Sequence, residues 1–151
     1  MRILLVVSFV LMASPMATVA QVAPTVTEVE HVMKAFLVPF SNQVVADFID
    51  YFADDAVVFF PSTQFAAMRV EGKTNIARTF ESVFKPGRPI PPGGRPLIQP
   101  QDLKIQYFGD TAIVTFHLGN DTMRGRRTFV LQRIDSKWRI VHLHASTVAA
   151  P

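Results

Sequence analysis

The sequence predicts an α+β domain: helices gathered in the first half of the chain, an antiparallel sheet in the second, and a short apolar leader in front. Three observations predict it. Between Thr27 and Phe84 apolar residues recur at helical spacing in three stretches. From Leu103 onward they alternate with period two in four runs separated by short turns. Between the two halves lies "KPGRPIPPGGRPLIQP", residues 85–100, whose six Pro and three Gly exclude both helix and central strand. Helices first and an antiparallel sheet last are expected to pack as two layers, the helices covering one face of the sheet.

Taken in order, Met1 and Arg2 are followed by "ILLVVSFVLMA" and then by "SPMATVAQ", with small residues Thr18 and Ala20 spaced as a signal peptidase requires. Residues 1–20 therefore read as a signal peptide cut near Ala20, residues 21–26 as a flexible mature N-terminus, and the product as an exported, periplasmic or secreted protein. The run is too short to span a bilayer, and no later stretch forms a membrane span. The first helix starts at Thr27 and buries Val29, Val32, Met33, Phe36, Leu37 and Phe40, with Pro39 expected to end or kink it. A second helix places Val45, Phe48, Ile49 and Phe52 inward and stops at Asp54 and Asp55. "AVVFFP" is a strand closed by Pro61, "RVEGK" a short hairpin, and Ile76, Ala77, Phe80, Val83 and Phe84 mark a third helix. The Pro-rich segment runs over the surface at a pocket rim. Strands "LKIQYF", "TAIVTFHL", "RRTFVLQRI" and "KWRIVHLHASTV" then form a meander, turning at Gly109-Asp110, "GNDTM" and Asp135-Ser136.

The alternation sorts the sheet into two faces. Ala112, Val114, Phe116, Leu118, Phe129, Leu131, Val141, Leu143 and Ala145 form an apolar face that the helices must cover. Ile113, Thr115, His117, Thr128, Val130, Gln132, Trp138, Ile140, His142, His144 and Ser146 form a mixed face directed outward. On this reading Trp138, His142 and His144 belong to a subunit interface, where aromatic residues are enriched.

Composition excludes several classes. The chain has no cysteine, so an exported domain must be held by its own core, and 49% hydrophobic residues with thirteen Phe permit that. A formal net charge of +3 is too weak a bias for nucleic-acid binding, and the "RGRR" cluster at Arg124–Arg127 reads as a solvated strand start. "GKT" at Gly72 lacks the upstream glycine of a phosphate loop, having Ala67 in its place. His142 and His144 share ligand spacing, but His117 lies two strands away and no acid shares their face, so no metal site is expected. Asp54 and Asp55 read as backbone-bonding acids at a helix-to-strand transition and not as a catalytic pair. No cofactor fingerprint is present.

The succession "YFADDAVVFFP", "VEGKTNIARTFESVF" and a four-strand meander ending "SKWRIVHLHAS" resembles the nuclear transport factor 2-like superfamily. Within it the chain, from about Thr27 to Val148, is similar to SnoaL-like small proteins and to the association domain of calcium/calmodulin-dependent protein kinases. The resemblance implies a cone-shaped curved antiparallel sheet wrapped around N-terminal helices, also described as a cystatin-like roll, with a pocket inside and a dimer or larger ring outside. It does not imply one activity. Where ketosteroid isomerases carry their general base this chain has Phe60, and their oxyanion tyrosine falls on Phe36. The pocket arginines of the kinase association domain fall on Leu118, Phe129 and Ala145. The acid that SnoaL-like cyclases send into the pocket has no counterpart on the inward strand positions.

Both lines lead to an apolar pocket, lined by Phe60, Phe116, Leu118, Phe129 and Leu143, that takes a small hydrophobic or aromatic molecule in a homodimer of residues 27–149. The alternatives are a small lyase, isomerase or cyclase using Tyr51 or His117, and a purely structural oligomerisation module.

Overall fold

The computed structural model describes residues 26–61, 69–84, 89–119 and 123–149. The expected signal peptide and its cleavage point lie outside these residues. No helix among the described residues is long and apolar enough to cross a membrane.

Helix α1 spans Val26–Asn42. Its buried residues Val29, Met33, Phe36 and Leu37 form a single apolar stripe. Pro39 does not end it: the helix continues to Asn42, losing only the hydrogen bond that a proline nitrogen cannot make. Its end is tied instead by Val44 N–H to the Pro39 carbonyl (3.1 Å) and by Ser41 Oγ to the Leu37 carbonyl (2.6 Å).

The expected second helix is shorter than its apolar spacing suggested. Helix α2 covers only Val45–Phe48, and Ile49–Tyr51 form one 3₁₀ turn. Strand β1 already begins at Phe52 and runs to Phe59, so Asp54 and Asp55 are exposed strand residues and do not terminate a helix. The aromatic and β-branched residues Phe52, Val57, Val58 and Phe59 favour extension over a further helical turn. Strand β2, Arg69–Glu71, pairs antiparallel with β1, and helix α3, Lys73–Val83, buries Ile76 and Phe80. Gly72 adopts φ +81° at the junction and donates its N–H to the Ala56 carbonyl at 2.8 Å, which locks the start of α3 onto β1.

The meander follows as β3 (Gln101–Phe108), β4 (Thr111–Gly119), β5 (Met123–Ile134) and β6 (Lys137–Ala149). The β5–β6 turn has both Asp135 and Ser136 at positive φ, the twist a tight hairpin requires. The six strands form one sheet in the order β2-β1-β6-β5-β4-β3, and β1 runs parallel to β6 while the other pairs are antiparallel. The sheet curves around the helices without closing, and the core fills the concave side.

One irregularity overturns part of the face assignment. On β5 the successive residues Val130 and Leu131 face His142 and Ile140, so β6 carries an extra residue, Val141, as a bulge. A bulge of one residue inverts the alternation on its two sides. Leu143 and Ala145 face inward as expected, but so do Trp138 (7% exposed) and Ile140 (0%). Trp138 is therefore removed from the outer face where the sequence placed it. Its indole Nε1 donates to Glu28 at 3.1 Å, its ring carries the Arg133 guanidinium at 5.1 Å, and Tyr107 meets it edge-on. Arg133 also pairs with Glu28. This knot fastens the first turn of α1 to three strands of the sheet.

Candidate ligand pocket

The concave side does not fill completely. A cavity of about 290 Å³ remains between α1, α3 and strands β4–β6, and Phe60, Phe116, Leu118, Phe129 and Leu143 all line it. Each is placed by a simple rule. Phe116 and Leu118 are i, i+2 on β4, Phe129 and Leu143 are cross-strand partners, and Phe60 follows the inward residue Val58 at the end of β1.

The aromatic residues pack as a cage. Phe116 stacks on Phe129 with ring centres 5.6 Å apart, Phe60 meets Phe80 edge-on at 5.1 Å, and Phe40 meets Phe84 at 5.6 Å. Phe36, fully buried, stands behind this cage and contacts Phe40 and Phe129.

The Pro-rich segment supplies part of the wall. Ser41 Oγ accepts the Ile98 N–H at 2.9 Å, and the Asn42 side-chain oxygen accepts the Arg95 N–H at 2.9 Å. These bonds strap the segment to the end of α1 and bring Ile98 into the cavity lining. A second recess of about 260 Å³ lies behind Leu37, Ile98 and Phe116, which it shares with the first.

Sequence reasoning missed one lining residue. Arg127, read as part of a solvated basic cluster, faces Phe116 on β4 and Ala145 on β6 and turns into the cavity. Its phase could have been read from Phe129 and Leu131, which it precedes at i−2 and i−4. Nη1 donates to the carbonyls of Arg126 (2.8 Å) and Ser146 (3.1 Å). Burial alone pushes its pKa below the usual arginine range.

Neither catalytic candidate reaches the cavity. Tyr51 packs edge-on against Phe36 from the 3₁₀ turn, and His117 lies on the convex face with Nδ1 3.1 Å from Asp102. Tyr107 belongs to the Trp138 knot, where burial pushes its hydroxyl pKa up despite a backbone hydrogen bond to Val29. Among the described residues no group of three or more His, Asp or Glu converges as a metal ion would require. Among the described lining residues every one except Arg127 is apolar. The described lining can enclose an apolar group, and no carboxylate, imidazole or phenol is among its residues.

A family model for the SnoaL-like domain matches residues 29–151. The chain belongs to the SnoaL-like domain family. Solved structures of this SnoaL-like fold agree with it in architecture. An NTF2-like protein of unknown function from Pseudomonas putida KT2440 is 19% identical over 80% of this chain and 84% of its own, with a TM-score of 0.64. A putative dehydratase of the NTF2-like family from Streptomyces avermitilis is 18% identical over 83% and 96%, TM-score 0.64. A putative calcium/calmodulin-dependent protein kinase II association domain from Xanthomonas campestris is 17% identical over 91% and 98%, TM-score 0.61. No curated protein matches the sequence. At these identities the likeness establishes the fold, and the chemistry rests on the pocket.

On the convex side of the SnoaL-like sheet His142 and His144 point outward, as the alternation predicts. Phe59, exposed on β1, lies 5.7 and 5.8 Å from their rings. Burial, and then the charge of His144, lower the pKa of His142. Its folded-state pKa therefore lies below the unfolded value of about 6.5, and between the two the unfolded chain binds more protons. The neutral imidazole's contribution is present above that unfolded value and lost as pH falls through the folded one. Urea midpoints of the wild type should thus fall on acidification from about pH 7.5, and His142→Gln should fall less steeply. Superimposable pH profiles for the two proteins would exclude the effect.

Proposed function

We propose that this SnoaL-like domain is an exported, self-associating protein that holds a small apolar or aromatic molecule in its pocket without transforming it. The observation that carries this reading is the pocket lining, an aromatic cage with no proton-transferring side chain among the described residues. The leader ending near Ala20 supports export, and the Phe59, His142 and His144 patch supports self-association. Two fold neighbours bear dehydratase names, but Tyr51 and His117, the side chains such a lyase would recruit here, stand outside the cavity.

The size of the cavity limits the ligand. An apolar cavity of about 150 Å³ can hold a benzene molecule, so 290 Å³ admits one ring with a short substituent. Burying a ring of about 150–250 Å² contributes roughly 4–6 kcal/mol at about 25 cal/mol/Å², before the cost of association. A bare ring is thus expected to bind no tighter than roughly millimolar, since 1 mM corresponds to about 4.1 kcal/mol.

Native mass spectrometry of protein purified gently from its own host tests the reading. An adduct that organic solvent removes, carried by the purified protein or formed when a hydrophobic compound is added at about millimolar concentration, is the expected result. Bare polypeptide mass, unchanged after exposure to a library of hydrophobic compounds, would leave the purely structural module as the better account. Self-association has a separate test: Phe59→Asp should weaken it at least tenfold in sedimentation equilibrium. An unchanged association constant would move the interface elsewhere.

A further inference from the structure

Among the described lining residues the pocket holds one cation at an otherwise apolar wall. Arg127 sits on the concave face between Phe116 and Ala145, and no carboxylate among the described residues lies within ion-pair distance of it. Its two hydrogen bonds both use Nη1 and both go to carbonyl oxygens, which orient the guanidinium without neutralising it. An arginine remains charged at any ordinary pH, so its desolvation is only partly offset.

A glycine stands beside this group. Gly125, two residues earlier on the same face, is buried, and a Cβ there would stand 3.1 Å from Nη1 and 3.4 Å from Nη2 of Arg127. A side chain at Gly125 would crowd the guanidinium and oblige it to give way by a few tenths of an ångström. On β5 the lining residue Phe129 is 2% exposed while Arg127 is partly exposed, so the charge stands at a more open part of the wall than the neighbouring ring. A planar guanidinium fork is the side chain best matched to a carboxylate, which it can bind through two parallel hydrogen bonds.

We infer that the pocket selects a small organic monocarboxylate, its carboxylate held by Arg127 and its ring or short alkyl chain enclosed by Phe116, Phe129 and Leu143. The inference rests on the ligand-binding reading above and names the ligand class for the same pocket. The carboxylate supplies what a bare ring lacks, a charge-assisted contact in a partly dry site.

Isothermal titration with 3-phenylpropanoate and its neutral isostere 3-phenylpropanamide tests it, using toluene as the purely apolar probe. The wild type is expected to prefer the acid over the amide by at least tenfold. Arg127→Met is expected to bring the two within about twofold of each other, and Arg127→Lys, which keeps the charge but loses the fork, to fall between. Equal affinities of the wild type for acid and amide, with toluene bound, would overturn the carboxylate inference and leave the apolar pocket standing. Failure of all three probes to bind would overturn both. A preference retained in Arg127→Met would assign the anion to another group, and should that variant not fold, the wild-type comparison and Arg127→Lys decide the matter.

Discussion

Trp138→Ala is expected to lower the unfolding free energy by about 3–5 kcal/mol, the cost of truncating a large buried aromatic side chain. The indole is 7% exposed in the single chain, so its contacts are lost whether or not a partner is present. The truncation also removes the Nε1 donor to Glu28 and the ring beneath Arg133, loosening the knot between α1 and the sheet. Against a typical stability of about 5–15 kcal/mol this is a large fraction of the whole. Urea denaturation at two protein concentrations checks it. A tryptophan serving only as an interface anchor would produce a different result, a monomer stability within about 0.5 kcal/mol of wild type and a weakened dimer.

Phe36→Ala is the second severe change. Phe36 is fully buried, and five aromatic rings surround it at centroid distances from 5.1 to 6.0 Å: Phe40, Phe48, Tyr51, Phe52 and Phe129. Deleting it leaves a hole that these rings, held on five different elements, cannot jointly close. The expected loss is about 3–5 kcal/mol, or a melting midpoint lower by more than about 10 °C for a domain of this size. A midpoint shift of only a few degrees would mean that the cage collapses freely and that the adjoining pocket is softer than described.

Much of this architecture is legible in the sequence because the apolar residues keep one period within each element. The stripe Val29, Met33, Phe36, Leu37 can be satisfied only by a helix with one face buried. The runs of β4 and β5 can be satisfied only by strands packed on one side. Phe60, Phe116, Leu118, Phe129 and Leu143 reach the cavity because nothing interrupts the alternation between them and the residues that fix its phase.

The misplacement of Trp138 has the opposite origin. In "WRIVHLHA" the apolar phase changes between Ile140 and Leu143, three residues apart where a regular strand would place two or four. Extending the phase of Leu143 and Ala145 backward through the bulge at Val141 sends Trp138 outward. The phase change was the available sign of a bulge. Arg127 escaped for a different reason: a guanidinium in a basic run favours a solvated reading, and its closeness to Gly125 appears only in the folded strand. The early end of α2 is tertiary in origin, since Phe52 is placed by pairing with Ile140 on β6.

The cavity behind Phe116 and Phe129 is expected to admit a small aromatic molecule. The most direct measurement is by nuclear magnetic resonance, recording intermolecular Overhauser effects from toluene to methyl-labelled protein. Cross-peaks are expected to Leu37, Leu118 and Leu143, which line the cavity on opposite sides. Cross-peaks confined to the exposed Val38, Leu97 and Leu103, or none at all, would contradict it.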